Sequence, residues 1–348
     1  MSATEVSAPM AGPVIAASAL DGILRETEAL QPAARLAALI AAGADSLPLP
    51  GKGATARRWA LLCRVARADL SLAKLFEGHT DALAILAELG APRLPDGGSW
   101  GVWAAEAPDG RLEIVDGSDV EVVLHGRKCW CSGAGHLSQA LTTAWRPGEA
   151  VPQLVAVRLR ESGIRISDAA WHAVGMQQSE SLDVTFENVP ALAVGEPGAY
   201  LSRSGFWHGG AGVAACWYGG AVHLAEALRR GCAGPRSPDP FRLAAVGASD
   251  VALRSARATL HEAAAWIDHR PRADARVIAL RARLAVEAAV EVVVARAGRA
   301  LGAGPYCRDA RFARMVADLP VFVRQSHGER DLATLGEAVI GSEVDWTL

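Results

Sequence analysis

The stretch Ser204–Ala221, SGFWHGGAGVAACWYGGA, decides how the rest of the chain is arranged. It separates a middle part rich in strand-forming residues from a long helical C-terminal part. Its glycines and alanines let backbones approach closely, and its aromatic side chains supply large contact areas. Two interpretations stay open from these residues alone. The stretch is either a helix start packed into a domain junction or the floor of a cofactor cleft, since ligand sites favour domain interfaces.

The chain before this stretch predicts a tail, a helical domain and a β domain. Residues 1–17 are rich in Ala, Ser and Pro, which predicts a loose tail. Apolar residues then recur at helical spacing over a domain of residues 18–91. This spacing predicts helices over 20–42, 55–68 and 72–89, the last with Asp69 or Ser71 as its N-cap.

Residues 92–203 predict the β domain, because short runs of β-branched and apolar residues alternate with turns that contain Pro, Gly and Asp. Two packed sheets or a flattened barrel would bury the runs 120–124, 141–145, 154–159 and 182–186. Residues 204–348 are rich in alanine and carry a Leu/Val stripe at helical spacing. They predict an antiparallel four-helix bundle with helices over 212–230, 240–268, 273–300 and 309–338. The fold class is therefore a multi-domain α+β protein.

Composition excludes several function classes. The 348 residues are 51% hydrophobic and carry a net charge of -3, which argues against binding to nucleic acid or to an anionic membrane. Six scattered cysteines contain only one close pair, Cys129 and Cys131, so we expect no metal site and a reduced, cytoplasmic protein. The N-terminus lacks the pattern of a signal peptide, and the most apolar window, 209–225, is too short and glycine-rich for a membrane span.

The chain resembles the acyl-CoA dehydrogenase superfamily in the order of its domains and in several local motifs. Gly126–Ala134 (GRKCWCSGA) is similar to the family's strand G-x-K-x-W-[IC]-[ST]-x-[GA]. Val174–Met176 together with Ser181–Val189 is similar to a later strand of the family, and Arg299–Tyr306 (RALGAGPY) resembles its Q-x-x-G-G-x-G-Y turn. The resemblance extends from about residue 20 to the end of the chain. It implies an FAD-dependent oxidoreductase that acts on a small molecule as a homodimer or tetramer.

The resemblance also implies which residues bind the flavin. Trp130 and Ser132 would pack against one face of the isoalloxazine ring, with the Ser132 hydroxyl near its reactive nitrogen. In the family's T-E-P loop, Ala105 replaces the threonine, so that only its backbone N–H could serve. The turn that contains Arg299 would contact the adenine-pyrophosphate end of the FAD in a neighbouring subunit. The implied cofactor residues are Ala105, Glu106, Trp130, Ser132, Arg299 and Gly302.

Departures from the family pattern argue against the usual desaturation of a CoA thioester. The glycine- and serine-rich segment that helps to hold acyl-CoA is missing after Pro108. The position of the family's catalytic glutamate falls on Ser326, and a serine hydroxyl is too weak a base to remove an α-proton. The candidate catalytic residues are therefore Ser326, His327 and Glu329. His327 is the best acid or base near neutral pH, although a surface histidine and a solvated Glu329 fit the sequence as well.

The substrate side of the cleft falls on the opening stretch. By resemblance, Phe206, Trp207 and His208 lie at the crossing from the β domain to the first bundle helix, and we expect them to line the cleft. His79 and Asp81 are interpreted as surface groups or N-terminal groups of the third helix.

Three functions stay open. The first is an oxidoreductase of the acyl-CoA dehydrogenase type that acts on a small molecule, for example a CoA thioester. The second is a flavin-dependent monooxygenase or oxidase that uses His327. The third is an inactive binding or scaffold member of the fold.

Overall fold

The computed structural model of the chain describes residues 14–90, 98–167, 171–233, 239–342 and 346–347. Four helices come first: α1 (Ala17–Glu26), α2 (Pro32–Ala41), α3 (Thr55–Ala68) and α4 (Leu70–Glu88). Seven strands follow: β1 (Trp100–Trp103), β2 (Leu112–Gly117), β3 (Glu121–Cys131), β4 (Gln139–Ala144), β5 (Gln153–Arg158), β6 (Ile164–Ser167) and β7 (Leu182–Val194). The remaining helices are α5 (Ala199–Ser202), α6 (Gly205–Cys232), α7 (Pro240–His269), α8 (Arg276–Leu301), α9 (Ala303–Arg308), α10 (Ala310–Phe322) and α11 (Glu329–Ile340).

The N-terminal helices agree closely with the sequence pattern. The predicted helix over 55–68 is α3, and Asp69 caps α4 because its carboxylate accepts a hydrogen bond from Leu72 N at 2.8 Å. The single helix predicted over 20–42 is wrong, since α1 and α2 are separate. Pro32 opens α2, where its missing N–H has no cost, and it disfavours helical backbone in the residue before it.

The strands form one hydrogen-bonded sheet in the order β1-β4-β5-β7-β3-β2, with β6 also on β7. The two packed sheets of the prediction are not confirmed, because the long β7 joins the strands into one sheet. One edge of β7 pairs with β3 from Leu182 to Leu192, and the other edge pairs with β6 over its first part and with β5 over its last residues. Just after β4, Trp145 exchanges backbone hydrogen bonds with Leu112 and Ile114 of β2. This bridge brings the β2 edge back beside β4, as in a flattened barrel.

The long helix α6 contains almost all of the opening stretch, and its glycines lie where other helices cross it. A methyl group on Gly212 would lie 3.3 Å from Trp59 Nε1 of α3. One on Gly220 would lie 3.0 Å from Leu319 of α10, and one on Gly219 would overlap the backbone of α3. These glycines therefore allow close helix packing, which is the first of the two interpretations.

The helices before and after the sheet share a single hydrophobic core, which includes Leu62, Phe76, Trp217, Val290 and Phe312. The domain limits 18–91, 92–203 and 204–348, and the separate four-helix bundle, stay predictions. The helix predicted over 309–338 is wrong in one respect. It breaks after the 3₁₀ turn Val323–Gln325, where Ser326 is extended and Gly328 has a φ of 52°. None of the described helices is both long and apolar enough to span a membrane.

Candidate active site

The end of β3 forms a strained corner that presents Trp130 to solvent. The pairing of β3 with β7 shifts register between Lys128 and Cys131, so the strand bulges there. Trp130 has a φ of 58° and is 52% exposed, while its neighbours Cys129 and Cys131 are buried. A left-handed backbone costs a bulky residue about 1–3 kcal/mol and is found most often at functional sites. An exposed indole in this conformation is therefore a candidate ligand-stacking surface.

Ser132, two residues later, begins a row of buried hydroxyls. Its Oγ lies 2.7 Å from Ser181 Oγ, which lies 2.9 Å from Ser179 Oγ. Ser179 donates to Met176 O at 2.7 Å, so the row ends on a fixed backbone acceptor. Met176 and Glu180 also have positive φ angles, of 59° and 44°. Backbone strain thus concentrates around Ser132 on both sides.

Glu106 holds the loop after β1 through its side chain. Its carboxylate contacts Lys128 Nζ at 2.7 Å and accepts from Thr143 Oγ1 at 2.5 Å. Lys128 is almost fully buried, and burial lowers the pKa of its ammonium against the opposing effect of Glu106. The glutamate is therefore an anchor for the loop. The neighbouring Ala105 is exposed, and its N–H has no acceptor within the described part of the chain.

The segment around Met176 joins this corner to the helices. Met176 N donates to Asp318 Oδ1 of α10 at 2.6 Å. Gly175 packs directly on the carbonyl of Ala317, where any side chain would overlap the helix backbone. Burial raises the pKa of Asp318 to about 6, against the stabilising hydrogen bond from Met176. The corner therefore has a fixed position relative to α10.

The loop after α10 brings Ser326 and His327 together with a residue that the sequence analysis missed. Ser326 is 5% exposed, and its hydroxyl lies 3.5 Å from the carboxylate of Asp331. The same carboxylate accepts from His327 N at 3.1 Å and lies 3.5 Å from His327 Nδ1. Glu329 is exposed at the start of α11 and makes no contact with this group in the described structure. The helical spacing of four residues from His327 could have pointed to Asp331.

Arg283 of α8 ties this loop to α6 and was also missed. Its guanidinium donates to Gly210 O at 2.7 Å and to Gln325 O at 2.8 Å, and it stacks 4.8 Å from the centre of the Trp217 ring. Arg283 is 8% exposed, and burial lowers its pKa. The residue before Ser326 is thereby fixed to the junction helix.

Of the predicted substrate residues, Phe206 and Trp207 are half-buried and pack edge to face at 5.3 Å. His208 is buried against Gly51, and its Nε2 has no partner in the described structure. Burial lowers the pKa of His208 and favours the neutral imidazole. The predicted cofactor residues Arg299 and Gly302 are exposed at the end of α8. Arg299 lies about 24 Å further along α8 than Arg283, at 1.5 Å per residue, so this turn is not part of the cluster.

His79 and Asp81 are not the surface groups that the sequence suggested. His79 is 1% exposed, accepts from Trp100 N at 3.1 Å and contacts Asp45 Oδ2 at 3.2 Å. Asp81 is 9% exposed and faces α6. Both are buried because α4 is enclosed by other helices and by β1, which its charged residues alone do not reveal.

No protein-family model and no curated protein sequence matches the chain. Several solved structures do. The methanesulfinate monooxygenase MsuC from Pseudomonas fluorescens matches with a TM-score of 0.79 at 20% identity, over 96% of this chain and 99% of its own. TdsC from Paenibacillus sp. A11-2 is a dibenzothiophene monooxygenase that was solved with FMN and indole. It matches with a TM-score of 0.74 at 18% identity, over 93% of this chain and 94% of its own.

A third match is KijD3, solved with FMN and dTDP-3-amino-2,3,6-trideoxy-4-keto-3-methyl-D-glucose. It has a TM-score of 0.77 at 19% identity, over 95% of this chain and 94% of its own. Each of these three matches covers more than nine tenths of this chain. The resemblance seen in the sequence is confirmed at the level of the fold, and the chain has the acyl-CoA dehydrogenase fold.

Proposed function

We propose that the chain is a flavin-dependent monooxygenase that acts on a small molecule at the cleft between the Trp130 corner and the Ser326 loop. The three solved neighbours support this proposal, since two are named monooxygenases and two were solved with FMN. When bound, a reduced flavin would supply the electrons for reaction with dioxygen, and the protein supplies binding and orientation. The chain's own residues supply three features that fit a flavin.

The proposed flavin site rests on groups around Trp130 whose surface or hydrogen-bonding capacity is not used within the described structure. The exposed face of Trp130 offers a flat surface on which an aromatic ring system stacks. The Ser132 hydroxyl uses one contact, to Ser181, and a hydroxyl can make three. The free N–H of Ala105 offers a further donor on a loop that Glu106 fixes. FMN is the flavin that the neighbours favour, while the predicted FAD requires contacts from Arg299 and Gly302 to an adenine end.

One observation carries the choice of monooxygenase over dehydrogenase. The position of the family's catalytic carboxylate is a buried serine, while the next residue, His327, has a side chain that is 63% exposed and faces Asp331. A carboxylate at Nδ1 orients an imidazole and leaves Nε2 free to exchange protons. Removal of an α-proton from a CoA thioester needs a base where Ser326 stands. Proton exchange during oxygen chemistry fits a solvent-facing histidine.

A homodimer or tetramer is part of the proposal. The helix α11 has no buried residue, yet it exposes Leu332 and Ile340. On α7, Phe241 is 83% and Val251 is 67% exposed. Exposed apolar side chains on two long helices support an interface with a second copy, which light scattering on the purified protein would measure.

The test begins with flavin binding. Apoprotein is titrated with FMN and with FAD while flavin fluorescence is recorded, and we expect FMN to bind more tightly. Reduced flavin, oxygen and either indole or methanesulfinate are then supplied, and oxygenated product is measured by mass spectrometry. His327→Gln should lose product formation, whereas His269→Gln, an exposed histidine on α7, should keep it. Bleaching of the bound flavin by acyl-CoAs without oxygen would indicate a dehydrogenase, and failure to bind either flavin would indicate the scaffold function.

A further inference from the structure

Two buried carboxylates lie four residues apart on one face of α4. Glu77 is 7% and Asp81 is 9% exposed. Residues at this spacing lie one above the other on a helix, so both face the space between α4, α6 and α8. A methyl group on Gly209 of α6 would lie 2.8 Å from Asp81 Oδ1, which places that carboxylate against the junction helix.

Neither carboxylate has the partners that burial normally demands. Within the described structure, the Glu77 side chain has one close cation, Lys74 Nζ at 3.7 Å, and neither carboxylate accepts a hydrogen bond. Buried carboxylates are usually hydrogen-bonded or closely paired, because an unmet charge in the interior is costly. The carboxylate oxygens of Glu77 and Asp81 therefore keep unused hydrogen-bonding capacity, which indicates a ligand site.

Arginines close to Glu77 are largely committed elsewhere. Arg58 of α3 donates to Pro48 O at 3.2 Å, and Arg283 of α8 donates to Gly210 O and Gln325 O. The charged and titratable groups that face Glu77 are Arg58 on α3, Lys74 and Asp81 on α4, Tyr200 on α5, Cys216 on α6 and Arg283 on α8. Desolvation outweighs the attraction of the three cations and raises the pKa of Glu77 to about 7.

Glu77 lies between the two halves of the candidate site. The next residue, Gly78, packs beside Val102 N of β1, the strand that leads to Ala105. On the other side, Arg283 connects the neighbourhood of Glu77 to Gln325, which precedes Ser326. Neighbours of Glu77 thus contact the strand before Ala105 on one side and the residue before Ser326 on the other.

We propose that Glu77 is a catalytic residue that accepts a proton from the substrate, the task for which Ser326 is too weak. The inference rests on the proposed monooxygenase function. In the step, a substrate R–H gives its proton to a Glu77 carboxylate oxygen, and the electron pair of the broken bond stays on the substrate atom. The flavin and oxygen supply the oxidation, and Glu77 itself is neither oxidised nor reduced.

The ionisation of Glu77 is measured first, on the apoprotein. Infrared difference spectra across the pH range should show a protonated carboxyl band with a midpoint at about 7, separate from the band of Asp318 at about 6, and E77Q should lack the band at about 7. Glu88→Gln, which removes another α4 carboxylate, should leave the band unchanged. Asp81→Asn should lower the midpoint, and Lys74→Met should raise it, because the two neighbours act on Glu77 with opposite charge. A wild-type spectrum without such a band, or a band that persists in E77Q, would overturn the proposal whatever the enzyme turns over.

The role in turnover is measured with two probes. Indole loses a proton when a ring position is oxygenated, whereas methanesulfinate loses none when its sulfur is oxygenated. E77Q should lower indole turnover by about 100-fold or more, should remove the fall in rate below pH 7, and should spare methanesulfinate. Glu77→Asp should restore part of the indole rate. Equal indole turnover in wild type and E77Q, or equal losses with both probes, would overturn the proposal. Failure of either flavin to bind would instead reject the proposed function, which the fluorescence titration measures separately.

Discussion

Gly219 gives the sharpest test of how α6 packs. A methyl group at this position would lie 2.9 Å from Ala66 Cβ, 3.1 Å from Arg67 N and closer still to the carbonyl oxygen of Cys63. Two of these three atoms belong to the backbone of α3, so no side chain can rotate away, and α3 itself must move. We take the upper end of the usual range for overpacking, about 3 kcal/mol. The higher helix propensity of alanine offsets about 1 kcal/mol of this cost. Gly219→Ala should therefore lower the free energy of unfolding by about 2 kcal/mol.

Gly210 in the same helix provides the matched control. It has no heavy atom within 4 Å of the position that a methyl group would take. Gly210→Ala should therefore gain about 1 kcal/mol from propensity alone, and the two variants should differ by about 3 kcal/mol. Urea unfolding followed by far-UV circular dichroism measures both free energies. If Gly219→Ala were as stable as Gly210→Ala, the close crossing of α3 and α6 would be refuted.

Three further predictions address the corner and its supports. Glu106→Ala should lower the free energy of unfolding by about 2 kcal/mol, because Lys128 is then buried without a carboxylate partner. This value is below the usual loss for a fully buried ion pair, since Glu106 is partly exposed. Lys128→Met in that background should recover most of the loss in urea unfolding, and no recovery would contradict the ion-pair explanation. Asp318 has a folded-state pKa of about 6, above its ordinary value of 3.8, so the folded state holds this proton more tightly. The proton on Asp318 therefore stabilises the folded state fully below about pH 4, and this stabilisation is lost as the pH rises through 6. The free energy of unfolding should fall by about 3 kcal/mol over that range. Asp318→Asn should remove this pH dependence, and an unchanged pH profile in the variant would contradict the prediction. Trp130→Gly should be at least as stable as wild type, because glycine adopts the φ of 58° freely, but flavin should bind about tenfold more weakly in the fluorescence titration; unchanged affinity would remove Trp130 from the site.

The sequence predicted the order of elements well, because local periodicity and caps determine them. The limits of α3 and the Asp69 cap of α4 both depend on residues within one or two turns. The division into β domain and helical parts followed the same local signals. The sequence prediction missed the breaks within 20–42 and 309–338. Pro32 lies at the first break and Gly328 at the second, and both residue types commonly mark helix ends.

The candidate site was harder to predict, because its geometry arises from contacts between distant segments. Trp130 was identified by its motif, but its left-handed backbone comes from a register shift against β7, which no pattern within β3 encodes. Arg283 of α8 donates to Gln325, 42 residues further along the chain, and its sequence neighbours give no sign of that contact. Charged residues such as Asp81 were placed at the surface because charge usually indicates exposure, a rule that fails where a helix is enclosed on every side.

The two interpretations of the junction stretch apply to different ends of it. From Gly212 to Gly220, the missing side chains are filled by atoms of α3, α4 and α10, which is packing. At Gly209 the nearest atom is the Asp81 carboxylate, and at Gly210 the space is open while the carbonyl holds Arg283. A larger residue at Gly209 would meet the Asp81 carboxylate. On the proposal for Glu77, the small residues at this end leave room beside the two carboxylates, and the same helix that closes the core at one end borders the proposed site at the other.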